Sequence, residues 1–134
     1  MNETRVIMVR EVMKKKFDLV HGLATVAEAL KQMAHVDTKC LIVERRHEQD
    51  EYGLVMLSDI SKNVLAKDRA PERVNIYEIM AKPVITVRPA MDIRYCARLF
   101  ERFGISRAPV LENGEVIGIV SHTDMVLRGL VKQL

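Results

Sequence analysis

The sequence has no tryptophan, only 4% aromatic residues, two cysteines, four prolines and no apolar run longer than a strand. Because aromatic residues are scarce, the core must be aliphatic and rich in methionine, and we interpret the eight methionines as core residues rather than as a cofactor site. The absence of a long apolar run predicts no membrane-spanning helix. The 134 residues are 49% hydrophobic and 29% charged, which is typical of one compact domain or of two small units that share a core.

The two cysteines, Cys40 and Cys96, lie far apart and form no C-x-x-C pair, which argues against a zinc ribbon or a thioredoxin-type motif. The histidines are not spaced as H-x-x-x-H or H-E-x-x-H, so we predict no metal site. The N-terminal stretch is charged throughout and does not resemble a secretory signal. Together these features predict a cytoplasmic protein with reduced cysteines.

The formal net charge is +3, but lysines and arginines alternate with acidic residues along the whole chain. A nucleic-acid-binding protein usually concentrates its basic residues on one face, so we expect no nucleic acid among the partners. The one dense basic run, Lys14–Lys16, is interpreted as a solvated turn rather than as a phosphate-binding patch. Nucleic-acid binding stays a minor alternative that rests on the basic charge alone.

An internal repeat organises the chain. Residues 12–44 align with residues 79–111 at an offset of 67, and a later stretch aligns at an offset of 65. The difference of two residues falls in a charged loop, residues 45–51, which the second copy replaces by Glu112-Asn113-Gly114. The repeat predicts three segments: 1–66 as repeat one with an N-terminal lead-in, 67–74 as a polar linker and 75–134 as repeat two.

Each copy has the same predicted order of strand, helix, strand, strand and helix. Apolar residues at i, i+3, i+4 and i+7 predict the first helix, from Val26 in repeat one and from Ile93 in repeat two. Asn113-Gly114 predicts a tight hairpin because both residues tolerate positive φ. Ser58-Asp59 and Thr123-Asp124 are typical of helix starts. The predicted strands are Phe17–Val20, Cys40–Glu44, Tyr52–Leu57, Val84–Val87, Ala108–Leu111 and Glu115–Ser121.

The most specific motif is Gly118-Ile119-Val120-Ser121-His122-Thr123-Asp124-Met125. With Arg107-Ala108-Pro109-Val110 and a short turn before it, this motif resembles the cystathionine-β-synthase (CBS) domain. Gly53-Leu54-Val55-Met56-Leu57-Ser58-Asp59 resembles the same motif in an altered form. The resemblance covers nearly the whole chain as a tandem pair. It implies an α+β fold in which two βαββα CBS repeats pack by pseudo-two-fold symmetry into one Bateman-type module.

The resemblance implies a non-catalytic regulatory module that binds an adenosine-containing ligand in a cleft between the repeats. The implied regulatory ligands are AMP, ADP, ATP or S-adenosylmethionine, with no other cofactor. The resemblance also implies a homodimer that signals to a separate, unidentified protein. We expect no membrane association, because the sequence has no apolar run long enough to span a membrane. The helices after Asp59 and Asp124 are candidate dimer contacts through Ile60, Val64, Leu65, Met125, Val126 and Leu130.

The predicted main site combines side chains of repeat two with groups from repeat one. Asp124, in the first turn of a helix, would accept both hydroxyls of a ribose. Ser121 and Thr123 would bind phosphate or ribose oxygens beside the backbone N–H groups of the helix start. Arg107 would pair its planar guanidinium with a phosphate. The resemblance implies that the adenine side comes from the other copy, from Asp18 through its backbone and from Thr38, Lys39 and Cys40. Because Ser, Thr and Asp also cap helices, a purely structural role for Asp124 stays open.

The second predicted cleft is weaker. It would use Asp59 and Ser58, and the resemblance adds Ile85, Ile105 and Ser106 on the adenine side. Met56 stands where repeat two has Ser121, and Cys40 stands where it has Arg107. The missing arginine removes a phosphate partner worth about 1.5–3 kcal/mol as a charged hydrogen bond. We therefore expect this cleft to be empty, weaker or suited to a ligand without phosphates.

Three functions remain open from the residues. The first is a nucleotide sensor, which the intact motif of repeat two favours. The second is a dimerisation or interaction module with vestigial clefts, which the altered motif of repeat one favours. The third is an enzyme, but the sequence contains neither G-x-G-x-x-G nor G-x-x-x-x-G-K-[ST], and no set of nucleophile and base can be assembled. We therefore predict that the chain is not an enzyme.

Overall fold

The computed structural model describes residues 5–134, which fall into two compact units. The repeat-one unit is Phe17–Val84, and the repeat-two unit joins the N-terminal segment up to Lys16 with Ile85–Leu134. The sequence repeat assigns the N-terminal lead-in to repeat one, whereas in the structure this lead-in packs within the repeat-two unit. The boundaries 1–66, 67–74 and 75–134 therefore follow the duplication in the sequence, and the compact units follow the contacts.

The structure contains short helices and two small sheets. In the repeat-one unit the elements are β1 (Leu19–Val20), α2 (Val26–Gln32), a 3-10 turn (Val36–Thr38), β2 (Cys40–Val43), β3 (Gly53–Met56), α3 (Leu57–Ile60) continued as a π-helical turn (Ser61–Leu65), and 3-10 turns at Pro71–Arg73 and Ile76–Glu78. In the repeat-two unit they are α1 (Val9–Val12), α4 (Ile93–Phe103), β4 (Arg107–Glu112), β5 (Glu115–Ser121), α5 (His122–Leu127) and a 3-10 turn (Leu130–Gln133).

The repeat-one sheet has the order β1-β2-β3, with β1 parallel and β3 antiparallel to β2. Helix α2 starts at a capping box, in which Thr25 Oγ1 accepts from Glu28 N–H and the Glu28 carboxylate accepts from Thr25 N–H, both at 3.1 Å. The helix buries Val26 and Ala29, two positions of the predicted apolar stripe. These residues pack with the sheet into the aliphatic core that the composition predicts.

One carboxylate organises the charged loop between β2 and β3. Asp50 accepts hydrogen bonds from Arg46 Nε at 3.0 Å, from Arg46 N–H at 2.8 Å and from Lys82 Nζ at 2.9 Å. These partners, Arg46 first, hold the pKa of Asp50 well below its ordinary value. The Arg45 guanidinium lies 5.4 Å from the centroid of the Tyr52 ring. The loop is therefore a structured addition to repeat one.

The repeat-two sheet is the predicted hairpin of β4 and β5. Asn113 and Gly114 form its turn with φ values of 53° and 79°, as their residue types predict. The strand predicted over Val84–Val87 is wrong for its first three residues. Only the last residue, Val87, forms a bridge, in parallel with Val110. Val84 N–H instead donates to Tyr52 O within the repeat-one unit. Val84 and Val87 therefore bond to different neighbours and do not form one strand.

Helix α4 begins at Asp92, whose carboxylate accepts from Arg94 N–H at 2.8 Å, and it ends at Gly104 with a φ of 63°. It buries Ile93, Cys96 and Phe100, which belong to the predicted apolar stripe. Burial raises the pKa of the Cys96 thiol to about 11. The thiol therefore stays protonated at neutral pH and behaves as a core residue.

The candidate dimer contacts divide by exposure. Val64 and Met125 are buried in the cores of their units, so the expectation that they contact a second copy is wrong. Leu65, Val126 and Leu130 are exposed to 76%, 46% and 51%.

Among residues 5–134, no helix has the length and apolar character needed to cross a membrane.

Candidate functional site

In each unit a lead-in segment, residues 10–15 in the repeat-two unit and residues 75–81 in the repeat-one unit, pairs with the strand that carries the glycine-containing motif. In the repeat-two unit Lys14 N–H donates to Ile119 O at 2.8 Å, and Ile119 N–H donates to Lys14 O at 2.9 Å. In the repeat-one unit Ala81 and Leu54 exchange the same two bonds at 2.9 and 3.0 Å. Lys14 and Ala81 therefore hold equivalent places, as the offset of 67 between them implies.

This pairing explains the glycine in each motif. A Cβ on Gly118 would lie 2.7 Å from Met13 Sδ and 2.8 Å from Lys14 O. A Cβ on Gly53 would lie 3.0 Å from Met80 Sδ and 3.2 Å from Ala81 O. Only glycine lets the lead-in backbone approach so closely. The glycine in each motif is thus explained by packing against the lead-in segment.

The junction of β5 and α5 brings three predicted site residues together. Arg107 is the first residue of β4 and pairs in register with Ser121, the last residue of β5. Ser121 Oγ accepts from Asp124 N–H at 3.2 Å, while Asp124 Oδ2 accepts from Ser121 N–H at 3.0 Å and from Ser121 Oγ at 2.9 Å. Arg107 Nε donates to Ser106 Oγ at 3.3 Å. Two cap positions and one guanidinium therefore share one corner of the repeat-two unit.

Asp124 also forms a buried ion pair that the sequence did not indicate. Lys14 Nζ lies 2.6 Å from Asp124 Oδ1, and the two side chains are 25% and 3% exposed. Both carboxylate oxygens of Asp124 thus have partners within the unit, which is the structural role that the sequence left open. The interpretation of Lys14–Lys16 as a solvated turn is wrong for Lys14. Contact of Asp124 with a ribose stays a prediction.

Two neighbours of Asp124 differ in surroundings. Thr123 is exposed at the start of α5. His122 places its ring edge-on to Phe100, with centroids 5.2 Å apart, and its Nε2 lies 3.1 Å from Ile105 O. Its backbone N–H donates to Ser106 O at 3.1 Å. His122 therefore positions Ile105 and Ser106, two half-buried residues that the sequence assigned to the second cleft.

The equivalent junction in repeat one lacks both cations. Met56 pairs in register with Cys40, as Ser121 does with Arg107. Asp59 Oδ2 accepts from Met56 N–H at 2.8 Å, but methionine has no hydroxyl to add a second bond. Ala81 stands in the place of Lys14 and supplies no ammonium group. Asp59 is half-buried and Ser58 is exposed, so this carboxylate is more accessible than Asp124.

The residues assigned to the adenine side hold the loop between α2 and β2. The Asp18 carboxylate accepts from Ala34 N–H and His35 N–H, both at 2.9 Å, and its carbonyl accepts from Ile42 N–H. Thr38 is buried and donates from Oγ1 to His35 O at 2.8 Å. Exposed Lys39 has a φ of 60°. Cys40 is buried, and Ile85 is half-buried. Contacts of these residues with a ligand stay predictions.

Metal binding has no supporting cluster in the described part of the chain. Within residues 5–134, no three histidine, cysteine, aspartate or glutamate side chains are grouped as a metal ion would need.

The strand–helix junctions and their glycine-containing motifs define a class, the CBS-domain proteins. The model of the CBS domain matches residues 9–66 and 76–129, and the chain belongs to this family as a pair of CBS repeats. Among curated proteins, it is 31% identical over 126 residues to "Uncharacterized protein MK0525" of Methanopyrus kandleri. That match covers 91% of this chain and 62% of the relative, so the chain spans under two thirds of that protein's length.

Solved structures share the fold with its two CBS repeats. A hexameric CBS-CP12 protein from bloom-forming cyanobacteria is 41% identical, with a TM-score of 0.89 over 95% of this chain and 74% of that chain. The CBS domain pair of protein MJ0100, solved in complex with 5′-methylthioadenosine and S-adenosyl-L-methionine, is 25% identical. Its TM-score is 0.77 over 91% of this chain and 94% of that chain. The mixed α+β fold with two CBS repeats is thereby confirmed.

Proposed function

We propose that this CBS pair binds an adenosine-containing ligand and transmits its occupancy to a separate protein, without catalysing a reaction. One observation carries the proposal: Arg107 and Ser121 are paired in register, and Asp124 follows at the start of α5. A carboxylate, hydroxyls and a guanidinium at one corner are the groups that a ribose phosphate requires. The MJ0100 pair, which is similar over nearly its whole length, binds two adenosyl compounds and supports this ligand class.

The two junctions suit different ligands. The repeat-two junction combines Arg107 and Lys14 with one carboxylate, so its formal charge is positive and favours an anionic ligand. The repeat-one junction has Cys40 and Ala81 at the corresponding places and keeps only Asp59 of the three charges. We therefore assign AMP, ADP or ATP to repeat two. A ligand without phosphates, such as S-adenosylmethionine, fits repeat one better.

Thermal unfolding with ligands tests the proposed function. AMP, ADP, ATP, S-adenosylmethionine and NAD are added separately at millimolar concentration to the whole chain. A ligand at a hundredfold excess over its Kd stabilises the folded state by about 2.7 kcal/mol, which corresponds to a rise in Tm of roughly 5–10 °C. We expect such a rise with at least one adenine nucleotide.

Isosteric variants at the two junctions provide the matched control. Asp124→Asn is expected to remove the shift caused by nucleotides, whereas Asp59→Asn is expected to leave most of it. The reverse pattern would show that our ranking of the two junctions is wrong. A set of melts in which none of the five compounds moves the Tm would refute the proposed ligand class.

A second function is supported by exposed apolar side chains. Val126, Leu127, Leu130 and Val131 lie on α5 and the turn that follows it, and each is at least 46% exposed. Such a surface suits contact with another protein chain, and the similar CBS-CP12 protein is hexameric. An interaction module without a ligand is the function that the negative melting result would favour.

A further inference from the structure

The Lys14–Asp124 ion pair occupies the carboxylate that the proposed function assigns to a ribose. Asp124 is 2% exposed, and Lys14 Nζ lies on its Oδ1 at 2.6 Å while Ser121 occupies Oδ2. A ribose hydroxyl that binds Asp124 at Oδ1 therefore competes with the ammonium group of Lys14 for the same oxygen.

The lysine is able to move, but its charge needs a new partner. Its side chain is 25% exposed, and a flexible four-carbon stem carries the ammonium group. A cation that leaves a buried carboxylate is unfavourable unless another anion replaces it. A 5′-phosphate is attached to the same sugar as the hydroxyls that displace the lysine. A nucleotide therefore supplies the diol for Asp124 and the anion for Lys14 together, and a nucleoside supplies only the diol.

We propose that Lys14 is a specificity-determining residue, which makes repeat two prefer phosphorylated adenosine ligands to unphosphorylated ones. This inference rests on the proposed function. The ligand's diol takes the place of Lys14 on Asp124, and the displaced ammonium group pairs with the phosphate beside Arg107. Repeat one has Ala81 at this place, so Asp59 is reached without displacing a cation and no charge selects for phosphate.

The test compares AMP with adenosine by isothermal titration calorimetry. The two ligands share the base and the diol and differ only in the phosphate, so the ratio of their Kd values isolates its contribution. Lys14→Gln keeps an N–H donor for Asp124 but removes the charge. We expect this change to reduce the preference for AMP by about tenfold or more, the size of a charged hydrogen bond. All titrations use the whole chain with Asp59→Asn, so that repeat one contributes little binding.

Two further variants separate the charge of Lys14 from general effects. Lys14→Arg retains the positive charge and is expected to retain the preference for AMP. Lys15→Gln removes the same charge from an exposed neighbour and is expected to leave the ratio unchanged. If Lys14→Gln does not fold, Lys14→Met replaces it, with folding checked by circular dichroism.

The outcomes distinguish this inference from the proposed function. An unchanged ratio in the neutral Lys14 variant, with both ligands still bound, overturns the role of Lys14 and leaves the proposed function intact. A ratio that falls equally in Lys15→Gln also overturns it, because the effect is then that of net charge. If neither AMP nor adenosine binds the chain with Lys14 present, this inference fails, whereas the proposed function fails only if none of the five compounds shifts the Tm of the unaltered chain.

Discussion

Replacing Asp124 with alanine is expected to lower the free energy of unfolding by about 3 kcal/mol, because the change breaks a buried ion pair and a helix cap together. Lys14, whose side chain is three-quarters buried beside Asp124, would lose its partner at 2.6 Å. Ser121 N–H and Ser121 Oγ would both lose the carboxylate oxygen to which they donate. Urea denaturation followed by circular dichroism measures the loss.

Asp59→Ala is the matched control, because Asp59 holds the same place in repeat one. Asp59 is half-buried and accepts from Met56 N–H without a lysine beside it, so we expect a cost of about 1 kcal/mol. Equal losses in the two variants would contradict a stabilising role for the ion pair. A double-mutant cycle with Lys14→Met and Asp124→Asn should show a coupling of about 1 kcal/mol or more.

The local parts of this site could be predicted from the sequence. Ser121 and Asp124 are typical of a helix start, and Asn113-Gly114 predicts the hairpin that sets β4 against β5. The offsets of the repeat also identified Met56 with Ser121 and Cys40 with Arg107, and the strand registers place these residues in equivalent positions. Such inferences succeed because they depend on neighbours along the chain or on a copy of the same unit.

The Lys14–Asp124 pair could not be predicted in this way. The two residues are separated by 110 positions in the sequence. The sequence repeat assigns Lys14 to repeat one, but in the structure Lys14 packs within the repeat-two unit. Within the sequence, Lys14 is one of three consecutive lysines, and its neighbours Lys15 and Lys16 are indeed exposed. The strand predicted over Val84–Val87 was also wrong, because strand pairing depends on partners that lie far away in the sequence. Its apolar pattern is genuine, but only Val87 pairs with Val110.

Gly118→Ala is expected to destabilise the chain by about 2–3 kcal/mol, because its Cβ would overlap atoms that cannot all move aside. Met13 Sδ, at 2.7 Å, ends a flexible side chain and could shift. Lys14 O, at 2.8 Å, is backbone and accepts the hydrogen bond from Ile119 N–H. Relief of the overlap therefore requires the lead-in and β5 to separate, which also weakens the support of Lys14 against Asp124.

The glycines offer a graded series for testing this close approach. Gly53→Ala meets Met80 Sδ at 3.0 Å and Ala81 O at 3.2 Å, so a cost of about 1 kcal/mol is expected. Gly22→Ala meets ordinary contacts at 3.6 and 3.7 Å and should change stability by no more than about 0.5 kcal/mol. Chemical denaturation of the three variants gives the order directly. A Gly118 variant as stable as the Gly22 variant would show that the lead-in does not hold β5 this closely. The role assigned to Lys14 would then lose its structural support, because that role depends on the same contact.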